Sequence, residues 1–516
     1  MGKKRIAAVI IAMVTFLGSV LAQMELGTPQ YRVHQHRDWK NEEELGIADG
    51  KNCIHETNTS GYTYDSNAVD TAELKTHLPI VVIDVPDKIP GEPYHGEEGT
   101  EYTLAPDGDT YTMAKMKVID HRDRYNQVSD EGELSSLIRI RVRGNSSRWF
   151  EKSSYSIKTV EESGDYRNVA VMGMEKHHEW VLNGPYLDKS LMRNYMAMNL
   201  SGELMEYAPD VRYCEVVLNG EYKGLYLMME TVSRGKGRID IEKPNKTRNI
   251  TGYIIELDND SVQPPTALDN FTKYASILRE RAFFDIVYPG KLNLTPELQD
   301  YIERDVSAFE KALYSFDYDS LRYGYPVKTD VDQFVDYFII MEVFMQYDVG
   351  NRSTFFYKDI NGRFKPCVWD FNNSLDNAAI NLELDDYHIS GFFSIQSPWF
   401  WMMLKEEDFI DQIIREYRSL REGILSDDSL KEYISDTGAY LGSAVDRNFA
   451  VWGYTFEPQN LQWNNKLIPD ERNPSSYEEA VQQMENTLLD RVDWLDKHIE
   501  VLKQYGHESA VKKFNH

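Results

Sequence analysis

The chain has 516 residues, a formal charge of −28, 41% hydrophobic and 12% aromatic side chains, and 3 cysteines. An acidic excess of this size argues against nucleic acid or an anionic membrane surface as a partner, because both would be repelled. Cys53, Cys214 and Cys367 cannot form a disulfide framework, so stability has to come from a large apolar core in one large or two closely packed domains.

The first residues, Met-Gly-Lys-Lys-Arg, precede an apolar run from Ile6 to Leu17 and small residues up to Ala22, which predicts a signal peptide over 1–22 and a secreted or cell-surface product. No later run is long enough for a membrane span in the mature chain. Residues 23–75 are polar and weakly patterned, and are expected to form an extended leader, on the surface or partly disordered. The 76–260 region reads as β-rich. Pro79 to Val85 is the first strand. Leu137 to Arg143 alternates Ile138, Ile140 and Val142 with Arg139, Arg141 and Arg143, a strand with one basic face, and Tyr155 to Val160 returns beside it. Cys214 to Leu218 and Gly224 to Met229 flank Asn219-Gly220 as a hairpin, and Tyr253 to Leu257 is a further strand.

From 261 to 505 the chain reads as mainly helical, with helices over Pro296 to Tyr314, Val331 to Tyr347, Glu406 to Ile424, Ser429 to Phe449 and Ser476 to Lys503, and a tail over 506–516. Inside this half lies a second hairpin. Asn361-Gly362 separates the β-rich runs Thr354 to Tyr357 and Phe364 to Trp369; a two-residue turn there would pair Ile360 with Arg363 and bring Asp370 opposite Ser353. Asn351 and Asp348 then lie close by. Two carboxylates and an amide at one end of a hairpin suit Mg²⁺ or Mn²⁺, although each alone is also an ordinary turn or cap residue. Glu342, on the preceding helix, reads equally as a supporting partner or a solvated face residue.

Phosphate chemistry also needs cations, and Arg143, Lys152, Lys158 and Arg193 are the candidates; Lys158 could equally be a solvated strand residue. Ser233-Arg-Gly-Lys-Gly-Arg238 lacks Walker spacing and reads as an exposed basic turn. His177-His178 lacks a ligand-spaced third histidine, so zinc is not expected.

These residues together resemble the CotH kinase family, named for spore-coat protein H: secreted or surface proteins with a divergent kinase-like fold. The resemblance rests on Arg141-Val-Arg-Gly-Asn-Ser-Ser147 with Lys152 to Lys158, on Leu218-Asn-Gly-Glu-Tyr-Lys-Gly-Leu-Tyr226 ending in Glu230, and on Glu342, Asp348, Asn351 and Trp369-Asp-Phe-Asn372. Arg447-Asn448, Trp452 and Leu489 to Leu495 look like its C-terminal helices. It implies an α+β, two-lobed kinase-like fold, β-rich first and mainly helical after, and transfer of the ATP γ-phosphoryl group to Ser or Thr of exported or surface proteins. Asp370 would then bind the metal, Asn351 would be its second ligand, and Asp348 the catalytic aspartate or a further ligand. Lys158 would meet the nucleotide phosphates with Lys152 as the fallback, and Arg143 and Glu342 would belong to the same nucleotide site. The spacing departs from ordinary protein kinases: Asp348 and Asn351 are three apart rather than five, Phe371-Asn372 replaces Phe-Gly, and no glycine-rich cover loop is evident. Two alternatives from other classes are a catalytically silent surface module for assembly or adhesion, and a carboxylate-pair glycoside hydrolase.

Overall fold

The computed structural model describes residues 32–47, 50–55, 63–96, 99–258, 265–274, 283–378 and 389–507, so the signal peptide expected over 1–22 lies outside the described residues. The architecture is α+β. Seven strands close into a barrel: β1 (Ile80–Asp84), β2 (Thr112–Ile119), β3 (Leu134–Arg143), β4 (Ser154–Val160), β5 (Glu179–Asn183), β6 (Val211–Leu218) and β7 (Glu221–Glu230). Around the barrel the order is β1-β6-β7-β5-β4-β3-β2, with β1·β6 the single parallel pair.

The alternation read in β3 sets this closure. Ile138, Ile140 and Val142 enter the barrel interior with Tyr155, Ile157, Trp180 and Met228, while the arginines between them stay outside. The β6–β7 turn is the expected two-residue one, with Asn219 and Gly220 both at positive φ (50° and 81°), which matches strand twist. Gly224 (φ 99°) has a separate role: a Cβ there would come within 2.6 Å of Asn448 Oδ1 and 3.1 Å of Trp452 Nε1, so its absence lets the Ser443–Trp452 helix lie against β7.

A second, four-stranded antiparallel sheet follows in the order β9-β8-β10-β11, from β8 (Tyr253–Asp258), β9 (Phe283–Tyr288), β10 (Thr354–Lys358) and β11 (Lys365–Cys367). Its core is aromatic. Phe284, Phe356, Phe309 and Phe364 surround the fully buried Trp399, whose Nε1–H donates to Glu310 Oε1 at 3.1 Å. The expected helices are present as Pro296–Leu313, Val331–Val343, Glu407–Arg421 and Tyr477–His498. The run expected as one helix over Ser429 to Phe449 is two, Asp427–Leu441 and Ser443–Trp452, broken where Gly442 turns to φ 49°. A further helix, Arg193–Leu204, was not expected. Residues 193 to 201 are all buried, so it has no polar face and therefore no helical period to read.

Two other expectations need correction. The 23–75 stretch runs mostly at the surface where it is described, yet it is pinned to the fold: Gln35, Leu74 and Thr76 beside it are 0% exposed, and Gln35 exchanges hydrogen bonds with the Tyr213 backbone in the barrel. The Ser233–Arg238 turn is only partly exposed, since Arg238 is buried over the Trp180 ring and ion-paired to Glu230.

Candidate metal and phosphate site

The site forms where the Val331–Val343 helix gives way to β10. The chain leaves helical geometry at Met345 (φ 48°), and the backbone N–H groups of Asn351 and Arg352 both donate to the Asp348 carbonyl at 3.0 and 2.9 Å, folding Asp348 and Asn351 into one turn. Gly350 (φ 72°) makes that turn possible, because a Cβ would sit 2.4 Å from the Ser397 side chain.

Asp370 reaches the same place by a different route from the one expected. The β10–β11 ladder pairs Phe355 with Cys367 and Tyr357 with Lys365, one residue out of the predicted register, and β11 ends at Cys367. The tight turn spans Asp359–Gly362, closed by Gly362 N–H to Asp359 O at 2.9 Å. The extra residue is absorbed as Phe364 pairs with the 328–330 backbone, through Phe364 N–H to Lys328 O (2.8 Å) and Asp330 N–H to Phe364 O (2.9 Å). Asp370 therefore lies beyond the ladder, at φ 55°.

What fixes Asp370 is a set of amides. Gln346 Nε2 donates to its carbonyl at 2.6 Å and Asn372 Nδ2 to its Oδ1 at 2.6 Å. Asn194, near the start of the Arg193–Leu204 helix, accepts from Phe371 N–H at 2.8 Å and donates to Asn372 Oδ1 at 2.7 Å and Asn183 Oδ1 at 3.3 Å, tying the loop to β5. Arg193, ion-paired to Asp188 at 2.6 Å, donates to the carbonyls of Ser374 and Leu375.

The electrostatics identify the meeting point. Burial raises the Asp348 carboxyl from its ordinary 3.8 to about 6, the negative charge of Asp370 adds to the rise, and Asn373 Nδ2, donating to Oδ2 at 3.2 Å, opposes it. Arg143 lies over the Trp369 ring, 5.3 Å from its centroid; burial lowers its basicity while Asp370 and Glu256 favour its charge. Glu256 and Asp258, alternate residues of β8, face this region, Asp258 being a further negative neighbour of Asp348. They were missed in the sequence because Tyr253 to Leu257 reads as a buried strand; only the two-residue spacing of the carboxylates hinted at a polar edge.

The other predicted residues lie elsewhere. Lys158 is on the outside of the barrel, ion-paired to Glu179 at 2.8 Å and cross-strand from Arg139, which places it roughly 13 Å along the sheet from Arg143. Lys152 is buried, donating to Leu225 O at 2.8 Å and Asn448 Oδ1 at 2.7 Å; burial, with Lys189 nearby, holds its amine well below the usual lysine range. Glu342 is 1% exposed, paired with Arg491 Nη2 at 2.8 Å, and accepts from the backbone N–H groups of Phe393 and Ser394. It ties its helix to the 393–394 segment and to the last long helix.

Among the described residues no group of three or more His, Cys, Asp or Glu side chains is arranged to hold a metal ion. A cation here would rest on Asp348, Asp370 and the Asn351 amide. That sparse oxygen set, with two carboxylates in each other's field, fits Mg²⁺ or Mn²⁺, which retain water and take substrate phosphate as ligands.

The family model described as CotH kinase protein matches residues 140–495, from the end of β3 to the last long helix, and the chain belongs to that family. It is 35% identical over 95 residues to the inner spore coat protein H of Bacillus subtilis (strain 168), a match covering 18% of this chain and 24% of that protein's length. No helix among the described residues is long and apolar enough to cross a membrane.

Proposed function

We propose that this protein is a kinase with a divergent two-lobed kinase-like architecture, moving the γ-phosphoryl group of ATP to Ser or Thr hydroxyls of exported or coat proteins with Mg²⁺ or Mn²⁺. The observation that carries the reading is the buried Asp348 beside Asp370, with Arg143 alongside: paired negative charges that favour a divalent cation, next to a cation suited to phosphate. Family membership supports it, and the similarity to the inner spore coat protein H of Bacillus subtilis supports a surface or coat location.

In this reading Asp370, Asp348 and Asn351 hold the metal, which when bound neutralises charge on the phosphoryl oxygens. The amides of Gln346, Asn372 and Asn194 keep Asp370 oriented. Arg143 supplies positive charge to the nucleotide phosphates. Where Asp348 is left off the metal, a carboxyl at about 6 is matched to accepting the acceptor hydroxyl's proton near neutral pH. Lys158, held by Glu179, is the weaker nucleotide candidate.

The rival reading, a catalytically silent module, draws on the engagement of Glu342 and Lys152 in buried structural contacts. The test is incorporation of label from γ-labelled ATP with Mn²⁺ or Mg²⁺, into the protein itself or a generic acceptor. Label that is lost in Asp370→Ala and on chelation supports the kinase; label no higher than in Asp370→Ala with either metal sinks it.

A further inference from the structure

A cleft of about 990 Å³ opens between the 234–250 segment and the tip of the β10–β11 hairpin. The hairpin carries the chain from Thr354 to Asn361, which puts the cleft roughly 23 Å from the base of the hairpin where the carboxylates lie. Its walls hold Arg234, Lys243, Lys246 and Arg248 against Glu242 and Asp359. A local cationic excess of this kind runs against the charge of −28 on the whole chain.

Of the two anions, Asp359 is already engaged, whereas the exposed Glu242 carboxylate offsets one of the four cations. Asp359 Oδ1 accepts the N–H groups of Glu242 and Ile360, both at 2.8 Å, and so serves the turn. The cations are not so engaged. Lys246 and Arg248 are exposed on a short excursion closed by the Asn245–Ile250 bridge, Lys243 is exposed just before it, and none of the three has an ion-pair partner among the described residues. Arg234 is held in place by its Nε–H to Ile241 O at 2.7 Å, which leaves the end of its guanidinium fork for a ligand.

We propose that this cleft docks an acidic peptide segment of a partner protein. The open volume exceeds what a single small anion fills, and half-buried Ile250 and Tyr288 give apolar wall between the charges, as an extended peptide with interspersed side chains requires. A phosphate polymer would extend past the cleft into the field of a strongly acidic molecule, whereas a short acidic segment meets only the local excess. The inference does not depend on catalysis.

The test is fluorescence anisotropy of the full-length protein with a labelled Glu- and Asp-rich peptide of about ten residues, against neutral and Lys-rich peptides of the same length and single-stranded DNA. The acidic peptide should bind preferentially and weaken as salt rises. The K243E/K246E/R248E variant, all on exposed loop positions, should lose about tenfold or more in affinity and gain affinity for the Lys-rich peptide, while Asp370→Ala binds as the wild type does. Equal binding of the neutral peptide, or unchanged binding by a folded charge-reversed variant, overturns the proposal. DNA that displaces the acidic peptide at lower concentration overturns it in favour of a nucleic-acid surface.

Discussion

Replacing Asp348 with Asn should make the metal-free protein more stable, and by an amount the site itself sets. The carboxyl is 7% exposed and its value rises from 3.8 to about 6, because burial and the neighbouring Asp370 penalise the charged form. At about 1.36 kcal/mol per pH unit, that gap is a penalty of roughly 3 kcal/mol on the folded state at pH 7. The sign follows from proton binding: between about pH 4 and pH 6 the folded chain holds this proton more tightly than the unfolded one, so stability falls as pH rises through that window and is level above it. An amide at position 348 carries no charge and removes the slope. Urea unfolding in chelator should therefore give Asp348→Asn an advantage that grows by roughly 1.4 kcal/mol between about pH 5 and about pH 7. Groups distant from Asp348 cancel in the difference between the two proteins. Mn²⁺ should raise the stability of the wild type and leave Asp348→Asn nearly unchanged. An advantage that is flat with pH, or a variant less stable than wild type at pH 7 without metal, would refute the electrostatic account of this site.

Asn194→Ala leaves the Phe371 N–H and the Asn372 amide without their partner; a loss of about 1–3 kcal/mol is expected by denaturation, with label transfer from ATP falling more steeply than nucleotide affinity because Asp370 loses its orientation. Glu342→Ala strands the buried Arg491 and should destabilise by about 3–5 kcal/mol, whereas the paired Glu342→Leu/Arg491→Leu change recovers much of that, read as a double-mutant cycle. Arg143→Ala should weaken binding of a fluorescent ATP analogue by about tenfold or more, and Lys158→Ala by much less, since only Arg143 lies in the field of Asp370. Equal losses would return Lys158 to the nucleotide site.

The sequence was enough wherever a local period or turn decided the outcome. The Ile138, Ile140 and Val142 alternation, the Asn219-Gly220 turn and the amphipathic helices each bury a face that a single segment already displays. The family could also be read from short motifs, and the family model that matches residues 140–495 spans the segments that carry them. Tertiary structure decided what depends on contacts between distant segments. The β10–β11 register slipped by one residue because Phe364 found hydrogen bonds at 328–330, a competition a hairpin rule cannot include. The barrel closed through a parallel β1·β6 pair more than a hundred residues apart in sequence. Lys158, Lys152 and Glu342 carried the right charge for phosphate or metal work, but their neighbours, Glu179, Asn448 and Arg491, come from elsewhere in the fold. Charge is a property of the residue; which charge it meets, and how far water is excluded, belongs to the packed chain, and that is why Arg143 rather than either lysine stands beside Asp370.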